Sequence, residues 1–147
     1  MKKFKFTLQA LFNYKITVEK MQKAELQKAR QALNELIAEE VRLLNAYAEN
    51  ERSLQRALSD NINVGSALSE HDAYFRFLRD ALRAIREKIV KAEEVVRLCQ
   101  EKLILTMKEI KTYNKLRDEQ YERYKKEVQA EETKEIEDLV SFNVINE

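Results

Sequence analysis

Apolar side chains recur every three or four residues through the second half of the chain, and this spacing constrains the fold more than any other feature. We call this set the second-half seam, and only Thr106 in it is polar. A repeat of 3.5 residues held over about five heptads is typical of a left-handed coiled coil. Its members are Phe75, Leu78, Leu82, Ile85, Ile89, Ala92, Val96, Cys99, Leu103, Thr106, Ile110 and Tyr113.

The first half carries a less regular stripe, with a mean spacing near the ~3.6 residues of a straight helix. Three glutamates interrupt it, and their carboxylates either lie at the edge of the contact or meet basic residues of the other helix. We call this set the first-half stripe. Its members are Leu11, Tyr14, Val18, Met21, Glu25, Ala29, Leu33, Leu36, Glu40, Leu44, Tyr47, Glu51, Leu54 and Leu58.

The two halves are separated by "SDNINVGSALSEHD", which holds the only glycine of a chain without proline. Gly65 suits the left-handed position that closes a helix, and Ser69 suits the cap that opens the next. We therefore predict one all-α domain over residues 1–147, with helices at about 5–62 and 70–138, a turn at 63–69 and a flexible tail at 139–147. The helices form an antiparallel coiled coil, a helical hairpin.

Pairing Leu58 with Phe75 sets the predicted register of this hairpin, and it places Tyr47 near Ile85 and Leu11 near Tyr121. In this register the N-terminal end of the first helix lies opposite about residue 127 of the second. The segment beyond residue 127 should therefore have no partner helix.

The sequence offers little that could support catalysis. Basic and acidic residues balance at 27 and 26, which gives no sign of nucleic-acid binding. There is no phosphate-binding glycine loop, metal-ligand cluster or nucleophile with a base, so we predict no enzyme, no cofactor and no metal. Cys99 lies in the seam, and His71 is expected to face solvent. Since no segment approaches the ~20 apolar residues of a membrane span, we expect a cytoplasmic protein.

A second stripe lies beside the seam early in the second helix. Phe77, Ala81, Ala84 and Lys88 follow the spacing i, i+4, i+7 and i+11, on a face that two helices would leave in water. This stripe is either a contact site or ordinary solvated surface. A strip of arginines along the first turns of the second helix (Arg76, Arg79, Arg83 and Arg86) could be balanced by Glu49 and Glu51 across the hairpin.

Several segments together resemble the flagellar export protein family FliJ across essentially the whole chain. They are the start "FKFTLQALFNYK", the midpoint "LSDNINVGSALSEHDAYFRFLRDALRAI" and the late "LRDEQYERYKKEVQAEETKEIEDLV". The resemblance implies a component of the type III export apparatus, folded as an antiparallel two-helix coiled coil similar to the γ stalk of rotary ATPases. It also implies a stalk between the hexameric export ATPase FliI and the membrane export gate FlhA, which binds and recycles export chaperones.

The resemblance also implies two sites. The family's gate-contacting face maps by position to Phe77, Ala81, Ala84 and Lys88; here Ala81 is smaller than usual, and Lys88 stands in place of a histidine. By analogy with the rotary stalk, the end that holds both termini enters the ATPase ring. Our candidates for that contact are Leu116, Tyr121, Tyr124 and Val128, where the register of the seam slips. We expect a monomer on its own, peripheral to the membrane at the flagellar basal body through protein partners.

Three alternatives remain open from the sequence. The nearest is the equivalent stalk of a virulence type III secretion system, which shares fold and role. A coiled-coil holdase chaperone such as prefoldin belongs to another class, but it would need β-hairpins, for which "SDNINVGSALSEHD" is too short. The third is a filament-forming structural coiled coil.

Overall fold

Two long helices make up nearly all of the protein in a computed structural model, which describes residues 2–61 and 63–146. Helix α1 covers Gln9–Ser59 and helix α2 covers Val64–Asn146. The described residues contain no strand, and the two helices pack against each other in antiparallel orientation. The predicted all-α helical hairpin is confirmed.

The contacts divide the chain into two units, and each holds a part of both helices. The first unit joins the residues up to Met21 with those from Leu103 onward. Its core is the buried set Phe6, Phe12 and Ile110. Half-buried side chains packed on this core are Phe4, Leu8, Ile16 and Tyr113.

The second unit covers Gln22–Lys102 and includes the connection between the helices. Leu78, Leu82, Ile85 and Ile89 of α2 are buried here, together with Leu26 of α1. Leu78 is the most enclosed of them, with only 1% of its surface exposed. Burying a leucine side chain stabilises a fold by about 1.5–3 kcal/mol, so this row stabilises the hairpin near its connection.

The second-half seam is confirmed, since all of its residues from Phe75 to Tyr113 are buried or half-buried. The first-half stripe is wrong at half of its positions. The exposed members are Leu11, Tyr14, Met21, Glu25, Leu44, Glu51 and Leu58, and their neighbours Phe12, Gln22, Leu26, Leu43, Asn50 and Ala57 are covered instead. Together with the correctly predicted members of the stripe, these covered residues keep a mean spacing of about 3.5 residues, because α1 must follow the supercoil of the helix that it packs on.

The three glutamates of the first-half stripe differ in exposure and in ion pairing. Glu25 and Glu51 are exposed at the edge of the contact. Glu40 is half-buried, and its carboxylate lies 3.2 Å from Arg86 Nε of the other helix. Both of the alternatives drawn from the sequence therefore occur.

The connection between the helices is shorter than predicted and is centred earlier. Asn61 and Asn63 adopt the left-handed backbone conformation, with φ values of 56° and 43°. Asparagine tolerates this region better than most residues because its short polar side chain can bond locally. Gly65 does not close α1, because it lies inside the first turn of α2 without a positive φ. Ser69 is likewise an interior residue and no cap.

The early connection shifts the register. Tyr47 packs against Phe75, with ring centroids 4.7 Å apart, and not near Ile85 as predicted. In the first unit, Phe4 lies against Tyr121 at 5.1 Å, where Leu11 was expected. The predicted register was therefore wrong by about ten residues in α2, or about 15 Å of helix.

The last turns of α2 extend beyond any partner helix. Every residue from 129 to 145 is exposed. The segment is helical to Asn146, past the predicted end near residue 138. We call residues 129–145 the overhang. Among the described residues, no helix combines the length and apolarity needed to cross a bilayer.

Candidate interaction surfaces

The predicted gate stripe lies on the exposed face of α2 in the second unit. Phe77 is 62% exposed, Ala84 and Lys88 are also exposed, and Ala81 is half-buried at the edge of the seam. The ring of Tyr74 lies 6.2 Å from that of Phe77, and the two are tilted by 33°. Tyr74, which the sequence reasoning did not single out, widens the aromatic part of the stripe.

The opposite flank of the seam is basic. Arg79, Arg83, Arg86, Glu87 and Val90 line a shallow open groove on α2. Glu49 and Glu51 do not balance the arginine strip: Arg76 pairs with Asp72 of its own helix, and Arg86 pairs with Glu40. Glu49 instead pairs with Arg52 and Arg56.

His71 is half-buried between the helices near their connection. The prediction that it faces solvent was wrong. Its Nδ1–H donates to the carbonyl of Ala67 at 2.7 Å, and Nε2 lies 3.3 Å from the hydroxyl of Ser53. The buried side chain of Asn50 donates from Nδ2 to the His71 carbonyl at 3.1 Å. These bonds fix the start of α2 against α1.

The candidate ATPase contacts lie in the first unit and differ in accessibility. Leu116 and Tyr121 are exposed, whereas Tyr124 and Val128 are half-buried. The rings of Tyr121 and Tyr124 stack at 6.3 Å. Tyr121 is thus the accessible centre of the predicted patch.

A non-helical N-terminal arm, residues 2–8, covers part of that patch and was not predicted. Phe4 packs on both tyrosine rings, 5.1 Å from Tyr121 and 5.5 Å from Tyr124. The hydroxyl of Tyr124 donates to the carbonyl of Lys2 at 2.8 Å. Phe6, only 6% exposed, anchors the arm against Phe12.

Ion pairs on the surface shift the pKa values of some of their members. Lys15 donates to Glu109 across the helices at 2.5 Å, and this hydrogen bond raises the pKa of the lysine. On α2, the hydrogen bond from Arg97 lowers the pKa of Glu94. Lys15 and Glu109 join the two helices, whereas Arg97 and Glu94 lie on neighbouring turns of α2.

The described residues hold no group of three or more His, Cys, Asp and Glu side chains that could bind a metal ion. Cys99 is half-buried at its seam position. The surfaces above therefore present apolar and charged side chains for contact with other molecules.

Comparison with known proteins identifies the family. The family model described as "Flagellar FliJ protein" matches residues 4–147, nearly the whole chain. Neither the comparison with curated proteins nor that with solved structures found a match. With both the helical hairpin and the family match in place, the chain belongs to the flagellar FliJ family, a non-catalytic component of flagellar type III protein export.

Proposed function

We propose that this protein acts as a stalk that links the hexameric export ATPase FliI to the export gate protein FlhA and escorts export chaperones. It would do so in the cytoplasm, peripheral to the membrane at the flagellar basal body. Membership of the FliJ family supports the export role. The surfaces of the helical hairpin supply the candidate contacts with each partner.

The exposure of Phe77 is the observation that carries the gate contact. A phenylalanine with 62% of its surface in water loses hydrophobic stabilisation unless another molecule covers it. Ala81 and Ala84 follow it along the helix, and their small side chains allow a partner to approach the backbone closely. Lys88 lies at the end of the stripe and adds a positive charge. An apolar strip with one large aromatic anchor is typical of helix docking sites.

The second proposed contact, with the ATPase, centres on Tyr121. Tyrosine is enriched at interfaces because it combines a large apolar ring with a hydroxyl group. The stacked ring of Tyr124 and the arm residue Phe4 hold the Tyr121 ring in place. The contact surface would therefore include the arm as well as α2.

Phe77→Asp tests the gate contact. Binding of the chain to the soluble segment of FlhA should weaken about tenfold or more, since a central aromatic anchor is replaced by a charge. The measurement is a titration by fluorescence anisotropy, with far-UV circular dichroism to check that helicity is unchanged.

Val90→Asp is the matched control. Val90 is 65% exposed on the same helix but lies on the opposite flank of the seam, so this substitution should leave gate binding within about twofold of wild type. If Phe77→Asp and Val90→Asp bind the gate segment equally well, the stripe is solvated surface and the proposed contact is wrong.

The alternatives from the sequence are less well supported. A prefoldin-like holdase would need strands between its helices, and the described part of the connection has none. The matched family is flagellar, which favours flagellar export over the virulence counterpart. Co-purification with flagellar and not with injectisome components is the corresponding test.

A further inference from the structure

Helix α1 carries a row of exposed aliphatic side chains beside its seam, in the second unit. Ile37, Val41 and Leu44 follow the spacing i, i+4 and i+7, which places them on one face of the helix. They are 40%, 48% and 42% exposed. We call these three residues the aliphatic row. Neither the proposed gate contact nor the proposed ATPase contact uses it, so an apolar face of α1 is left in water.

An ion pair between the helices shows that the aliphatic row lies beside the arginine strip of α2. Glu40 lies between the first and last residues of the row, and its carboxylate is 3.2 Å from Arg86 Nε. Because the helices run antiparallel, Arg83 and Arg79 lie on α2 alongside the later part of the row. The three arginines line an open groove that extends to Val90. The groove therefore has a basic wall on α2 and, in the aliphatic row, an apolar wall on α1.

Two arginines of this groove have no carboxylate partner. Neither Arg79 nor Arg83 forms an ion pair in the part of the chain that the structure describes. Asp80 and Glu87 are their acidic neighbours on α2, and Glu87 lines the groove near Val90, at the end away from Arg79. Carboxylates of another molecule are therefore favoured at the Arg79 end, where two guanidinium groups can donate to them.

We propose that this groove binds an acidic amphipathic helix of a partner protein, a contact beyond those proposed with the gate and the ATPase. Aliphatic side chains of the partner helix pack on the aliphatic row, and carboxylates on its adjacent flank pair with Arg79 and Arg83. A helix that spans the groove from Arg79 to Val90 needs about 12 residues, or about 17 Å. Since Phe77 lies on the other side of the seam, this helix and the gate can bind at the same time.

A helix fits this groove better than an anionic membrane does. Asp80 and Glu87 are exposed on the same stretch of α2 as the two unpaired arginines, so a flat anionic surface would meet these carboxylates together with the guanidinium groups. A single helix lies within the groove and places its carboxylates only at the Arg79 end. The aliphatic row supports the same choice, because the spacing i, i+4 and i+7 is the pattern that packed helices use.

Titration of the full chain into a fluorescently labelled peptide, followed by anisotropy, tests the proposal. The peptide is a synthetic helix of about 18 residues with leucines at i, i+4, i+7 and i+11, glutamates on one adjacent flank and alanines elsewhere. Arg79→Glu/Arg83→Glu should weaken its binding about tenfold or more, because carboxylates then face carboxylates. A second peptide, with lysine in place of each glutamate, should bind this variant about tenfold more tightly than it binds wild type.

Val41→Asp tests the apolar wall. It should weaken binding of the acidic peptide about tenfold, since a charge replaces the central residue of the aliphatic row. Lys28→Glu/Lys91→Glu is the matched control, because it reverses two exposed lysines of the same unit on the other side of the seam and should bind within about twofold of wild type. Far-UV circular dichroism checks that every variant keeps its helicity.

Three results would overturn the proposal: no binding of the acidic peptide to wild type up to about 1 mM, an arginine variant that binds it like the control, or a lysine peptide without preference for the arginine variant. Vesicles with about 30% phosphatidylserine are measured in parallel. Arginine-dependent vesicle binding without peptide binding would make a membrane the occupant instead. Self-association of wild type that the arginine variant loses would make it the overhang of a second copy. No measurement uses the gate or the ATPase, so the outcome is independent of the proposed function.

Discussion

Asn50 is a polar residue buried between two helices, with only 7% of its surface exposed. A polar side chain at a seam position is tolerated where it has a hydrogen-bond partner, and it then favours one register over others. Here the partner is the main-chain carbonyl of His71, at 3.1 Å. Since that carbonyl lies at one height along α2, the bond fixes the register at the connected end of the hairpin.

Asn50→Asp should lower the free energy of unfolding by about 1–3 kcal/mol at pH 7, because a carboxylate cannot donate to the carbonyl and is buried beside it. The deficit should shrink as the pH falls from 7 towards about 4, because burial raises the pKa of the new carboxyl above its unfolded value near 4, and the protonated group can donate again. Urea unfolding at several pH values measures both effects.

Asn45→Asp is the matched control, because Asn45 is exposed on the same helix. It should change the free energy of unfolding by less than about 0.5 kcal/mol. Equal stability of the two variants at pH 7 would show that the bond from Asn50 does not fix the register.

The seam of α1 shows what residue patterns could and could not predict. Following the spacing of a straight helix, about 3.6 residues, led to Met21 and Leu44, both of which are exposed, and away from Gln22 and Asn50. The strict 3.5 repeat of the second half already required a matching repeat in its partner. That requirement would have placed polar residues in the seam, against their average preference for the surface.

At the scale of the elements, the connection is made by asparagines and not by glycine. Residue preference alone favours Gly65 as the left-handed residue, since glycine takes this conformation without steric cost. Asn61 and Asn63 take it instead, and Gly65 is free to be helical. Because the position of the turn sets the register of both helices, this one error moved all of the predicted cross-helix pairs.

Gly65→Ala should therefore raise the free energy of unfolding by about 0.5–1 kcal/mol, since alanine favours the helix and loses less entropy on folding. Apart from the neighbouring residues and the backbone of its own helix, no described atom lies within 4 Å of the position that the added Cβ would occupy. Thermal unfolding followed by circular dichroism measures the change.

Asn61→Ala provides the contrast. With φ at 56°, Asn61 is in a region that is costly for alanine, so this variant should be less stable than wild type. A loss of stability in Gly65→Ala would mean that Gly65 closes α1 after all.

The N-terminal arm was missed for a related reason. In "KFKFTL", Phe4, Phe6 and Leu8 alternate with polar residues, a period of two that is typical of extended backbone. Reading the segment as the start of a helix ignored this alternation. The arm supplies Phe6 to the core of the first unit and holds Phe4 on the tyrosines of α2.

For the whole molecule, composition and period were sufficient to predict the fold class. A chain without proline, with a sustained 3.5 repeat after one break and a helical apolar stripe before it, has few alternatives to a helical hairpin. The interaction surfaces were less predictable, because exposure alone does not say which partner covers a residue. The two proposed contact sites fall in different units, with Phe77 in one and Tyr121 in the other.

This separation leads to a prediction about the two partners. Tyr121→Ala should weaken binding to the ATPase FliI by about tenfold, as expected for an interfacial tyrosine, and leave binding to the gate segment unchanged. Phe77→Asp should show the reverse pattern. Tyr14→Ala, which removes a 61% exposed tyrosine of α1, is the control in both measurements. Because Tyr121 also supports Phe4, the variant Phe4→Ala is measured in parallel: weaker ATPase binding there would place the arm in the contact. If Tyr121→Ala binds the ATPase like Tyr14→Ala, the tyrosine patch is not the contact site, and the ATPase must contact another part of the hairpin.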